Sequence, residues 1–214
     1  MILDSFPTGP LGANCTILGD ENTGEALVFD PGDEAQRIFD RLEKQNLKVK
    51  QILLTHAHLD HVGAAARLRK LSGAPTYLHE NDLTLLSAAP QQAAWMGMAK
   101  PEIDPPDFLL SHGQSVGTDA LHVSVLFTPG HTQGGVCFYL VKEDLLIAGD
   151  TLFAGSIGRT DLPGGNSSQL LESIRTQLLS LPDNTRVVCG HGPMTTIGSE
   201  RRGNPYLFGT LFDI

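Results

Sequence analysis

The segment Thr55-His56-Ala57-His58-Leu59-Asp60-His61 puts three histidines and a carboxylate within six consecutive positions, directly after the apolar run Ile52-Leu53-Leu54. Imidazole nitrogen and carboxylate oxygen at about 2.0–2.2 Å are ordinary ligands of Zn²⁺, and imidazole also suits iron and other transition metals. In an extended segment alternate side chains share a direction, so His56 and His58 can grip one cation. A helix starting near Asp60 would send Asp60 and His61 in a new direction, toward a second cation. As plain polar loop residues these four would have no common purpose, and such a cluster at ligand spacing rarely has another use.

Three more ligand-type residues follow one local pattern. His131, Asp150 and His191 each come directly after a glycine (Gly130, Gly149, Gly190) that ends or closely follows a β-type run. Glycine lets the backbone turn closely, and strand ends make a rigid rim that fixes ligand geometry. By contrast, His79, His112 and His122 have no such context and read as structural or solvent-facing. Cys189, two positions before His191, reads as a buried, inert thiol.

The elements that must carry these residues are short and alternating. Strands are predicted over 14–18, 25–29, 49–54, 75–78, 121–127, 136–141, 145–148 and 187–189. Helices are predicted over 33–45 with Asp33 as cap, 62–71 closed by Gly73, 80–88, 91–99 and 167–181. Trp95, Met96 and Met98 read as core or lid packing, and 100–107 as a surface loop. The apolar tail Tyr206, Leu207, Phe208, Leu211, Phe212 and Ile214 is expected to pack back on the body or to form a dimer contact. Strand groups and helices alternate in both halves, which gives an α/β fold: an αββα sandwich of two mixed sheets, as one domain over 1–214.

Composition narrows the function. The 214 residues are 41% hydrophobic and 18% charged, with 23 glycines and 13 prolines, a globular and turn-rich balance. The net charge of -9 argues against a nucleic-acid partner held through phosphates. It leaves room for a small anionic substrate, because two divalent cations would make a locally positive centre. Three distant cysteines, Cys15, Cys137 and Cys189, imply no disulfide framework. With no signal-peptide pattern and no run of 18 apolar residues, a cytoplasmic location and no membrane partner are expected. The oligomeric state is left open.

Taken together, T-H-A-H-L-D-H, Pro129-Gly130-His131-Thr132, Gly149-Asp150-Thr151, Gly190-His191-Gly192 and the early Asp30-Pro31-Gly32 resemble the metallo-β-lactamase superfamily, and within it the glyoxalase II (hydroxyacylglutathione hydrolase) branch. The resemblance implies that His56, His58 and His131 hold one metal and that Asp60, His61 and His191 hold a second. Asp150 would bridge the two, and Asp30 and Thr132 would orient ligands. Only residues 192–214 follow the last ligand, so the helical domain that supplies basic residues to glutathione in full-length members is not expected. Gly158-Arg159-Thr160-Asp161 lies where the family places a glutathione-binding lysine. Arg159 therefore either binds substrate or pairs with Asp161 and shapes its loop. The chain further resembles compact bacterial members ending in G-H-G-P and E-R-x-x-N-P.

The implied activity is hydrolysis of a thioester, S-lactoylglutathione or a related hydroxyacyl thioester, by a metal-bridging hydroxide, with Asp60 and Asp150 as the catalytic carboxylates. The cofactors implied are two divalent ions, zinc first, with iron or manganese as alternatives. A mononuclear iron dioxygenase of the same fold, acting on glutathione persulfide, is the first rival. A non-catalytic metal-stabilised scaffold is the second, and seven retained ligand-type residues speak against it. Lactonase and β-lactamase readings rank lower.

Overall fold

The structure, a computed structural model, describes residues 1–208. The first half runs β1 (Ile2–Thr8), β2 (Ala13–Gly19), β3 (Glu25–Phe29), α1 (Ala35–Lys44), β4 (Lys48–Leu53), α2 (Leu59–Val62), α3 (Ala65–Ser72), β5 (Thr76–His79), a 3₁₀ turn at Glu80–Asp82, α4 (Leu83–Trp95) and β6 (Phe108–Leu110). Its strands form one sheet in the order β1-β2-β3-β4-β5-β6, antiparallel up to β3 and parallel from there on. The second half runs β7 (Ser115–Gly117), β8 (His122–Phe127), β9 (Val136–Leu140), β10 (Leu145–Gly149), β11 (Leu152–Phe153), β12 (Ser156–Ile157), α5 (Ser167–Ser173) continued by a π turn at Ile174–Leu178, β13 (Arg186–Cys189), β14 (Thr195–Thr196), α6 (Ile197–Gly203) and α7 (Pro205–Phe208). A second sheet has the order β14-β13-β10-β9-β8-β7, and β11 and β12 make a separate hairpin.

Strand alternation explains the layering. Successive side chains point to opposite faces, so a strand buried on both faces splits its residues between two cores. In β3 and β4, Val28 and Ile52 face the helices, where they pack with Ile38, Leu68 and Leu86. Their neighbours Leu27, Phe29 and Leu53 face the other sheet and meet Val136, Phe138 and Leu140 of β9. The Phe29 and Phe138 rings meet edge to face, centroids 5.3 Å apart. On the far side Cys137, Tyr139, Leu146 and Ala148 pack against Leu170, Ile174 and Leu178. Two sheets with helices on both outer faces are the expected αββα sandwich.

Several local expectations differ from the structure. The helix expected over 62–71 is α3, closed by Gly73 as expected, but it starts at Ala65, because the Ala64 amide donates to Pro31 O (2.9 Å) at the junction with the short α2. The helices expected over 80–88 and 91–99 are one, α4, which runs through Pro90. An interior proline costs about 3 kcal/mol, and burial of Leu86, Ala89 and Ala93 offsets it. The α1 N-cap is Glu34, not Asp33; Asp33 Oδ1 instead accepts the Glu34 amide at 2.6 Å. The edge strand β1 was not singled out in sequence. In the apolar tail Leu207 is buried and Tyr206 exposed, while Leu211, Phe212 and Ile214 lie outside the described residues. Among the described residues no helix is long and apolar enough to cross a membrane.

Candidate metal centre

The C-terminal ends of five strands deliver the site. Phe29 is followed by Asp30, Leu53 by the histidine loop, Phe127 by the turn to His131, Gly149 by Asp150, and Cys189 by Gly190-His191. The β10–β13 ladder shifts register between Ile147 and Gly149, and that irregularity aims Asp150 inward. Two amides tie the sheets together beside the site: Val136 N donates to Thr55 O (2.8 Å) and Asn14 N to Gly190 O (2.7 Å). A Cβ on Gly190 would collide with the Asp150 carboxylate, which is why glycine precedes His191. A Cβ on Gly32 would strike the Asp60 carbonyl, so the Asp30-Pro31-Gly32 turn can press against the histidine loop.

All seven sequence-predicted residues come together. Donor atoms of His56, His58 and His131 lie within 4.8 Å of one another, and so do those of Asp60, His61 and His191. Asp150 stands between the two groups. Its Oδ2 is 3.5 Å from His131 Nε2, and its Oδ1 is 3.4 Å from His61 Nε2. A further combination, Asp30 with His56 and His61, is equally close. Both Asp30 oxygens are already occupied: Oδ1 accepts the Thr55 amide (2.7 Å), and Oδ2 accepts the Thr55 hydroxyl (2.6 Å) and faces His61 Nδ1 (2.9 Å). Asp30 therefore orients rather than ligates. It holds this position at a positive φ of 48°, a conformation that costs a non-glycine residue about 1–3 kcal/mol.

The hydrogen bonds fix the imidazole tautomers. The Thr55 hydroxyl gives its one proton to Asp30, so it accepts from His56 Nδ1 (3.0 Å). His61 Nδ1 donates to Asp30, and His131 Nδ1 donates to Arg159 O at 2.7 Å. Each of these rings thus uses Nδ1 as its donor and turns Nε2 inward, the atom that a metal would take. His58 presents Nδ1, 2.9 Å from His131 Nε2. His56 Nε2, His61 Nε2 and Asp150 Oδ1 are buried and make no hydrogen bond to the protein's own groups. Buried polar atoms are almost always paired, so three orphans aimed at one space fit a cation-binding centre.

Electrostatics agree with the geometry. Burial, assisted by the neighbouring imidazoles, holds His56 well below its usual range, and burial with His131 holds His58 at about 3. Burial acts on His61 too, but Asp150, Asp30 and Asp60 outweigh it and push the ring up to about 10. Burial works to raise Asp60, yet its hydrogen bond to His191 and the charge of His61 hold it far below the usual carboxylate range. The carboxylates thus draw positive charge onto His61 while His56 and His58 resist protonation, and bound cations would supply that charge in place of a proton.

Sequence reasoning missed Asp82. This buried carboxylate accepts from the Ala57 amide (3.0 Å), the Thr132 hydroxyl (2.9 Å) and the Gly134 amide (2.6 Å), pinning the histidine loop to the His131 loop. The Thr132 hydroxyl bonds Asp82, and its carbonyl accepts the Gly130 amide (2.8 Å) across His131. A buried aspartate opening a helix has no spacing signal of its own. Glu200 and Asn204, of the terminal E-R-x-x-N-P motif, hold the β11–β12 hairpin: Glu200 Oε2 accepts the Gly155 amide (2.9 Å) and Asn204 Nδ2 donates to Ser156 O (2.9 Å). Arg159 is half resolved by the structure. Its exposed guanidinium makes two bonds to Asp161 (2.7 and 2.8 Å), and its carbonyl orients His131. His79 stacks on Phe127 and accepts the Asn81 amide; His112 accepts the Phe127 amide; His122 is exposed. Burial pushes the Cys189 thiol up to about 12, which rules it out as a nucleophile at neutral pH.

Above the centre lies a cavity of about 590 Å³, between α4 and the β11–β12 hairpin, with His58, Asp60, His131, Asp150 and His191 on its floor.

The sequence profile of the metallo-β-lactamase superfamily matches residues 8–191. The chain belongs to that superfamily. The probable metallo-hydrolase YqgX of Bacillus subtilis is 41% identical over 95% of this chain and 96% of its own. The hydroxyacylglutathione hydrolase GloC of Haemophilus influenzae is 39% identical over 97% of this chain and 98% of its own. Among solved structures, the B3 metallo-β-lactamase BLEG-1 superimposes with a TM-score of 0.90 at 40% identity, over 96% of this chain and 99% of that one. TTHA1623, in a di-iron-bound form, gives 0.87 at 41% identity, over 94% and 98%. ETHE1 from Myxococcus xanthus gives 0.82 at 29% identity, over 98% and 85%. Fold, site and relatives together define the class as a metal-dependent enzyme of the metallo-hydrolase kind.

Proposed function

We propose that the protein is a binuclear-metal thioester hydrolase, acting on S-lactoylglutathione or a related hydroxyacyl thioester. The observation that carries this reading is the position of Asp150, whose carboxylate lies close to both three-donor groups, Oδ1 3.4 Å from His61 Nε2 and Oδ2 3.5 Å from His131 Nε2 and 3.7 Å from His191 Nε2. One carboxylate shared between two such groups suits a pair of cations and has little purpose with one. His56, His58 and His131 would hold one ion, Asp60, His61 and His191 the other, with Asp150 common to both. Divalent ions held there, zinc in our reading, supply hydroxide at neutral pH and polarise an acyl carbonyl.

The chain's own groups do the rest. Asp30 and the Arg159 carbonyl keep the His61 and His131 rings turned so that lone pairs face inward. Asp60, with Oδ2 3.2 Å from His191 Nε2, is the floor carboxylate placed to orient an attacking water. The sulfur of a thioester leaves without being protonated, so the absence of a dedicated acid among the described cavity residues suits this substrate. The hydroxyacylglutathione hydrolase GloC, with 39% identity across nearly the full chain, supports the same assignment.

A second reading, a mononuclear iron dioxygenase acting on glutathione persulfide, draws on the Gly158-Arg159-Thr160-Asp161 segment. Only His56, His131 and Asp150 would then be needed. The deciding experiment is metal analysis of the purified protein with two assays, thioester cleavage and oxygen uptake with glutathione persulfide. Two ions per chain with thioester cleavage is the expected result. One iron per chain with oxygen uptake and no cleavage would replace the hydrolase reading.

A further inference from the structure

The walls of the cavity do not match the carrier that the hydrolase reading first suggests. Glutathione thioesters end in two carboxylates and an ammonium, which ask for fixed charges. Among the described residues the cavity is lined by one lysine or arginine only, Arg159, and its guanidinium is already engaged by both Asp161 oxygens. What faces the space above the ligands is instead Leu11, Leu85, Trp95, Met96, Phe153 and Ile157. Trp95 is 72% exposed, Met96 54% and Leu11 41%, so the rim leaves large apolar groups in water. Folding gains nothing from that exposure, and contiguous exposed apolar surface beside a polar centre marks a binding site.

The rim is also held in place. Gln92 Oε1, one turn from Trp95 on α4, accepts the Leu59 amide (3.1 Å) and so locks α4 to the histidine loop. On the other side Glu200 and Asn204 fix the hairpin that carries Phe153 and Ile157. A rigid, apolar vestibule of about 590 Å³ opening directly onto the ligand groups selects for shape and hydrophobicity.

We infer that the site takes thioesters with an apolar body of roughly six to ten carbons next to the reacting carbonyl. That body sits on either the acyl or the thiol side, and S-lactoylglutathione is a weaker member of the substrate class. This rests on the hydrolase reading. The reaction itself is unchanged: water adds to the carbonyl carbon, the C–S bond breaks, and a carboxylic acid and a thiol result.

Two substrate arms test the inference. One compares acetyl with hexanoyl thioesters of N-acetylcysteamine; the other compares lactoyl thioesters of benzyl mercaptan and of glutathione. At least a tenfold gain in kcat/KM is expected in one arm, which also identifies the side that carries the apolar body. Trp95→Ala should shrink that preference fivefold or more, through KM. A binding measurement separates this inference from the hydrolase reading. Trp95 is the chain's sole tryptophan, so its fluorescence reports occupancy of the vestibule. A benzyl thioether that cannot be cleaved should shift its emission to the blue and bind at least tenfold tighter than S-methylglutathione. Tight thioether binding without cleavage of any thioester would sink the hydrolase reading and leave the apolar site standing. Equal or better turnover of S-lactoylglutathione, with a loss of tenfold or more in Arg159→Ala, would overturn the inference.

Discussion

Asp150 is the residue on which the centre turns. Its carboxylate lies within 3.7 Å of histidines from both donor groups, and Oδ1 is buried without a hydrogen bond. Asp150→Asn keeps the volume and removes the charge that two divalent ions must share. The expected outcome is metal content below half of the wild-type value at both sites and thioester cleavage reduced at least about a hundredfold, in line with losses on removing a key charged group. Atomic emission on the dialysed protein checks it, and full metal content with full activity would end the bridging assignment. At this scale the sequence was highly legible. Each residue that converges on the centre stood out by its chemistry, and the glycine before His131, Asp150 and His191 marked where the backbone had to turn. The pairing of Arg159 with Asp161 was one of two readings of the sequence, but its hold on His131 was not legible, because that comes from its carbonyl, an atom every residue has.

The loops that carry the ligands are aligned by a clamp from outside the ligand set. Asp82, at the start of α4, holds Ala57, Thr132 and Gly134 at once, and charge-assisted bonds of this kind contribute about 1.5–3 kcal/mol each without adding simply. Asp82→Ala should lower stability by about 2–4 kcal/mol and weaken metal affinity roughly ten- to hundredfold, as losses of ligand-orienting partners do. Chelator competition alongside denaturant unfolding checks both. Lower stability with unchanged affinity would reduce Asp82 to a packing role. Elements were legible where an apolar run was bounded by turn or charged residues, as in β3, β4 and β9. They were not where a tertiary contact overrode local preference: Pro31 splits α2 from α3, and the buried face of α4 carries the helix through Pro90. The two-residue strands β11 and β12 have no period to read, yet they form one wall of the cavity.

At the scale of the whole molecule, the first sheet and its loops supply His56, His58, Asp60 and His61, and the second supplies His131, Asp150 and His191. Neither proposed ion could be held by one sheet alone. Bound cations would therefore act as rivets between two leaves of the chain that an apolar core and hydrogen bonds from Asn14, Asp82 and Val136 already join. A break between Ser111 and His112 would separate the leaves, cutting at the turn closed by Gln114 N and Ser111 O. Ligand present at a hundred times its Kd adds about 2.7 kcal/mol to whatever state binds it, about a hundredfold in association. Fragments 1–111 and 112–214, refolded together, should thus associate more tightly with zinc than with a chelator, by about a hundredfold for each ion held across the seam, as sedimentation would measure. Zinc-indifferent association would mean that each leaf keeps its ligands to itself. If the rivets hold, a cell that starves this protein of metal loses more than its chemistry: the seam between the leaves loosens, and the unmetallated chain becomes the form that proteases find first.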